Sequence, residues 1–161
     1  MKKEQYLWAV LRLGMGWIFI WPFFDKLLGL GHETAAENAW ILGKSPAYGF
    51  LAFAAKGPFA LFYQGLAGNA LVDWIFMTGL ILIGLALVSG VGMKIAGYSG
   101  ALMLALMWLA ALPPENNIFL DHHLIYSLVL LLLVNAKAGS YFGLGSWWAK
   151  TRFVKKYPFL E

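Results

Sequence analysis

Two runs of 20 residues without a charge, Trp74 to Met93 and Ile95 to Pro114, stand back to back with only Lys94 between them. A helix needs about 20 mostly apolar residues to cross a bilayer whose hydrocarbon core is about 30 Å thick. Two such runs this close together describe a helical hairpin in a membrane. Its turn falls at Ser89-Gly90-Val91-Gly92. The composition agrees: 61% of the residues are hydrophobic and 12% are charged, against about 45–50% and about 25% in soluble domains. This balance excludes a soluble globular enzyme, a disordered chain and a nucleic-acid-binding module.

Two further apolar stretches flank the hairpin. Residues from Tyr6 to about Leu28 hold Arg12 and end at Asp25-Lys26, and the stretch from Asp121 to Ala136 opens on Asp121-His122-His123. The expected fold is therefore an all-α membrane protein, a four-transmembrane-helix bundle in a single domain. The spans lie at about 6–28, 73–92, 95–112 and 121–137. The Lys2-Lys3 opening also suits a signal peptide. The first span is too long for one, carries Arg12 and lacks a small-residue cleavage site, so it is expected to stay. The segment of about 29–72 is apolar and broken by Gly and Pro. Its pieces at about 47–55 and 58–67 are too short to cross, and are expected to form an outer cap of short interfacial or re-entrant helices. In the third span Gly92, Ala96 and Gly100 recur every four residues, a small-residue stripe for intrachain packing. The segment 138–161 forms an inner basic tail facing lipid headgroups.

Basic residues collect on the cytoplasmic side of membrane proteins. With the N-terminus inside, Lys2, Lys3, Lys94, Lys137, Lys150, Arg152, Lys155 and Lys156 lie inside, whereas Lys26, Lys44 and Lys56 lie outside. Both termini are therefore expected to be cytoplasmic. The net charge of +4 reports orientation, and no nucleic-acid partner is expected. Trp21, Trp74 and Trp108 fall at the outer ends of spans, as in an aromatic belt.

Ionisable residues within or beside spans are the candidates for chemistry. Arg12 sits about two turns inside the first span, beside Gly14 and Gly16, and suits snorkelling to the inner headgroups, a structural tie to Asn135 or a binding role. The outer ends gather Lys26, Glu115, Asp121, His122 and His123. On a helix, His122 shares a face with Tyr126 and His123 with Ser127, so the two histidines are expected to diverge. Asp121 suits a helix N-terminus. A carboxylate–histidine pair also moves protons near neutrality. The chain has no cysteine, hence no thiolate nucleophile, and no haem, metal or iron–sulfur cluster is expected. Electrons would pass directly between substrate and a bound organic carrier such as a quinone, or through a partner.

The segment Pro114-Glu115-Asn116-Asn117-Ile118-Phe119-Leu120-Asp121-His122-His123-Leu124-Ile125-Tyr126 resembles the stretch before the last helix in the DoxD branch of the DoxX superfamily. Span one is similar as well, with Arg12 before Gly14 and Gly16 and Lys26 closing a Phe-rich stretch. The resemblance covers nearly the whole chain. It implies a small membrane subunit of thiosulfate:quinone oxidoreductase in a prokaryotic cell membrane, partnered by a membrane-anchored DoxA-like subunit or a larger redox complex. Lys26 with His122 or His123 would then meet a sulfur oxyanion, joined by Asn116 and Asn117, while Arg12 would serve an inner quinone site or a structural tie. Asp121, His123 and Glu115 would handle protons, with His123 favoured by the family motif. A quinone would lie among Trp17, Trp21, Phe23, Phe24, Trp108 and Tyr126. The competing reading is a non-catalytic membrane anchor or assembly subunit of a respiratory complex. A transporter is disfavoured, because no repeat symmetry or paired broken helices occur.

Overall fold

The computed structural model describes residues 3–115 and 117–161, and these are helical without a strand. The first helix, α1 (Lys3–Leu28), packs antiparallel against α3 (Ala70–Ser89), which turns directly into α4 (Met93–Ala110). These three helices are long and apolar enough to cross a membrane. A fourth, α5 (His122–Asn135), packs along α4 but has only 14 residues, short of the about 20 that a straight crossing needs. The expected span at 121–137 is therefore shorter as a helix. Asp121 ends it by capping rather than by joining it, and Lys137 takes a left-handed conformation with φ 50°.

Local chemistry sets the other boundaries. Asn69 accepts hydrogen bonds from Leu71 N–H (2.9 Å) and Val72 N–H (3.4 Å), which starts α3 three residues ahead of the expected position. Gly90 at φ 77° ends α3, and Gly92 at φ 67° starts α4. Both lie in the left-handed region that side chains resist. Gly92 thus serves the turn and not a packing stripe. The close approach of α4 to α5 uses Gly100 of that stripe and Gly97, one residue off it, where an added Cβ would sit 2.8 Å from Leu130 and 2.2 Å from Val134 respectively.

Small residues also set the crossing of α1 and α3. A Cβ on Gly16 would lie 2.7 Å from Val88 and 3.2 Å from the Gly84 carbonyl, whereas Gly14 has nothing within 4 Å. Only one of the two glycines beside Arg12 therefore serves helix approach. Gly16→Leu is expected to destabilise the protein by about 1–3 kcal/mol through overpacking. Gly14→Ala should be neutral or stabilising by up to about 1 kcal/mol. Thermal unfolding of the two variants in detergent checks the contrast.

The core runs down the bundle axis through Met15, Phe19, Met77, Leu80, Leu87, Leu104, Leu130 and Leu133. The outward faces are equally apolar: Leu82, Leu85, Leu102, Leu106, Leu128 and Leu132 are exposed. Helices apolar all round suit a hydrocarbon surround.

One end of the bundle is covered by the segment between α1 and α3. It contains 3₁₀ turns at Ala36–Asn38, Trp40–Leu42 and Gly57–Phe59, a π-helical turn at Phe50–Ala54, and the short helix α2 (Ala60–Gln64). Two buried carboxylates fasten this cap. Asp25 accepts from His32 N–H (3.2 Å) and Glu33 N–H (3.0 Å), and Asp73 accepts from the Ser45 hydroxyl (2.8 Å) and Ala47 N–H (3.3 Å).

Arg12 fastens the opposite end. It is fully buried, and its guanidinium donates to the carbonyls of Leu87, Val88 (2.7 Å), Tyr141 (3.1 Å) and Phe142 (3.0 Å). The last turn of α3 leaves carbonyls without intrahelical partners and carries the negative end of the helix dipole. A buried cation there is compensated without a carboxylate. The expected tie to Asn135 is absent: that side chain donates to Leu131 O of its own helix. After α5 the chain forms α6 (Gly145–Trp148) and α7 (Arg152–Lys156) and folds back, so that Glu161 meets Lys94 at 3.0 Å.

Candidate functional site

The covered end of the bundle carries the polar cluster. Asp121 caps α5 by accepting from Leu124 N–H at 3.1 Å, and its other oxygen lies 2.7 Å from His123 Nδ1. His123 is buried, and Phe50 of the cap stands against its ring at 6.4 Å between centroids. One turn on, the buried Ser127 hydroxyl donates to Ala101 O (3.0 Å) and holds this face against α4. The capping role and the histidine pairing of Asp121 thus coexist, one on each oxygen.

His122 is exposed on the neighbouring face and meets Tyr126 edge-on at 5.8 Å. The two histidines do not diverge as a regular helix would require. Their ring centroids lie 4.0 Å apart with a 33° tilt. They occupy the first two positions of α5, where no preceding helical turn constrains the side chains. One ligand atom from each of Asp121, His122 and His123 falls within 4.8 Å of the others.

A cleft of about 750 Å³ opens between α3 and α4 and runs from Gly92 and Ile95 toward the cap. Its walls are apolar, formed by Phe76, Ile83, Met103 and Met107 among others, and its cap end is lined by Lys26, Glu33, Phe50 and Tyr63. Small side chains make the space: Gly79, Ala86, Ala96 and Ser99 face it where larger ones would close it. Tyr63 closes the rim by donating to Leu106 O at 2.9 Å.

The cleft and the histidine cluster are neighbours. Phe50 lines the one and touches His123 of the other. Glu33 lines the cleft, its charge acts on His122, and it pairs with Lys26 at 3.4 Å. Glu33 held no signal in the sequence. It reaches this place because its N–H is bound by Asp25. Asp25 and Asp73 are likewise organising groups that sequence reasoning did not single out.

Other sequence candidates lie elsewhere. Trp17 and Trp21 stack at 5.8 Å, with His32 on Trp21 at 5.0 Å. Phe24 meets Phe23, and Trp108 meets Phe119 while donating to its carbonyl (2.8 Å). None of Trp17, Trp21, Phe23, Phe24, Trp108 or Tyr126 lines the cleft. Glu115 forms an exposed ion pair with Lys56 at 3.3 Å. Asn117 accepts from the N–H groups of Phe119 and Leu120 and so shapes the loop. Asn116 lies outside the described residues. Arg12 sits about 21 Å along α1 from Lys26, at 1.5 Å per residue, with its guanidinium committed to carbonyls.

No protein-family model, curated protein or solved structure matches this chain.

Proposed function

We propose that the protein is a DoxD-like subunit of a prokaryotic cell membrane that passes electrons from thiosulfate, or a related sulfur or thiol donor, to a membrane quinone. The observation that carries the reading is the apolar cleft between α3 and α4, whose polar end adjoins Asp121 and His123. A prenylated quinone needs an apolar trough for its tail and a charged, protonatable neighbourhood for its ring. The residues present fit both demands. The sequence resemblance to the DoxD branch points the same way.

In this reading α5 is the fourth span. Its 14 helical residues are extended at both ends by the flanking turns, and a thinned bilayer accommodates the difference. The distribution of Lys and Arg supports cytoplasmic termini, with the cap and the histidine cluster outside.

The balance is simple. Two thiosulfates join through a new S–S bond to give tetrathionate and release two electrons; the quinone accepts both with two protons and leaves as the quinol. The chain's residues supply charge and protons. Lys26 attracts the sulfur oxyanion when its pair with the exposed Glu33 (3.4 Å) opens. His123 hands on a proton, and Asp121 holds its ring in one orientation. A DoxA-like partner completes the donor side, because the sequence has no cysteine to supply a thiolate or an iron–sulfur centre.

The test is decylubiquinone reduction by the detergent-purified protein, alone and with its membrane partners, using thiosulfate and other sulfur or thiol donors. Donor-dependent reduction is expected. A large side chain in the cleft should act on the acceptor alone: Ser99→Phe is expected to raise the quinone KM about 10-fold or more with little change in kcat, leaving the donor KM untouched. If no donor supports reduction, and the chain co-purifies stoichiometrically with a larger complex, the anchor reading takes its place.

A further inference from the structure

We propose that Asp121, His122 and His123 together bind a divalent first-row transition-metal ion. The spacing of these residues on a regular helix argues against a shared ligand, yet the first turn of α5 brings both rings to 4.0 Å and one donor atom from each of the three residues within 4.8 Å. Metal–nitrogen and metal–oxygen bonds of about 2.0–2.2 Å place the ligand atoms of a tetrahedral site about 3.4 Å apart. The wide separation is closed by rotation of the exposed His122 ring, and the Asp121 oxygen that lies 2.7 Å from His123 Nδ1 moves apart by about 0.7 Å to admit the ion, while its other oxygen keeps the helix cap.

Two imidazoles and a carboxylate are the donor set of sites that keep an open position, and they suit zinc or ferrous iron better than magnesium or calcium. The surroundings are built for such a site. His123 is held on one side by Asp121 and flanked on the other by Phe50, and Tyr126 leans on His122. Ordered, partly apolar surroundings of this kind orient metal ligands. The N-terminus of α5 opposes a cation through its dipole. Asp121 and the nearby Glu33, whose charge reaches His122, offset that field.

The proposal does not rest on quinone or sulfur chemistry, and its readout uses neither. The purification tag is removed from the full-length protein in detergent, the sample is treated with chelator, and Zn²⁺ is titrated by calorimetry, with Co²⁺ absorption reporting the ligand field. One ion per chain is expected, with Kd of about 10 µM or tighter and the intense visible bands of a low-symmetry cobalt site. His122→Ala changes an exposed side chain, and Asp121→Asn retains a helix-capping oxygen; each is expected to weaken binding at least about 10-fold with unchanged circular dichroism. Binding weaker than about 1 mM, or affinity that survives both substitutions, overturns the proposal whatever the outcome of the quinone assay.

Discussion

Arg12→Met is expected to cost about 3–5 kcal/mol of stability, because buried carbonyls that lose a donor cost about 1–3 kcal/mol each and only part of that is recovered by relaxation. The substitution keeps the length and apolar stem of the side chain. What it removes is the fork that joins the end of α3, at Leu87 and Val88, to the turn at Tyr141 and Phe142. Both places come from segments far from Arg12 in the sequence, so the tie closes the bundle at its open end. Arg12→Lys should fall between wild type and the Met variant, since an ammonium is a point charge that cannot span two separate pairs of carbonyls. Thermal or detergent unfolding of the purified protein measures the series. A Met variant within about 1 kcal/mol of wild type would show that the carbonyl contacts contribute little. A ligand-binding role for Arg12 would instead lower quinone reduction at temperatures where the variant remains folded, and no such loss is expected.

The second large effect concerns rate. His123→Ala is expected to lower quinone reduction about 10²–10⁴-fold, the range that a positioned proton-transfer group contributes. Lys26→Ala should raise the KM for an anionic donor and leave a neutral thiol donor less affected. Added imidazole should restore part of the His123→Ala activity, a rescue that a purely structural histidine would not show. His122→Ala should lose much less, because its ring lies outside the pairing with Asp121. Reduction that persists in the His123→Ala, Lys26→Ala double variant would remove both residues from the reaction.

Much of the architecture can be read in the sequence because it rests on long-range averages. The paired runs around Lys94 become α3 and α4, and the broken apolar pieces after α1 become short helical turns over one end of the bundle. What cannot be read depends on single atoms. Arg12 finds backbone carbonyls, and a carbonyl leaves no mark in the identity of its residue. The two histidines come together because they begin a helix, so a rule for helix interiors gives the wrong geometry there. Gly92 fits a packing stripe by spacing but is spent on a left-handed turn, while Gly100 of that stripe makes the contact together with Gly97, one step off the pattern. The aromatic residues nearest the span ends looked suited to a quinone. The cleft instead owes its volume to what is missing from α3 and α4, at Gly79, Ala86, Ala96 and Ser99.

Photolabelling with an azidoquinone addresses the site itself. Membranes containing the wild-type protein are illuminated with the probe, and the modified peptides are mapped by mass spectrometry with and without excess decylubiquinone. Competable label is expected on the α3 and α4 segments around Phe76, Met103 and Met107, with weaker label reaching Phe50. Label confined to Trp17 and Trp21, or label that decylubiquinone does not displace, would contradict a quinone site in this cleft.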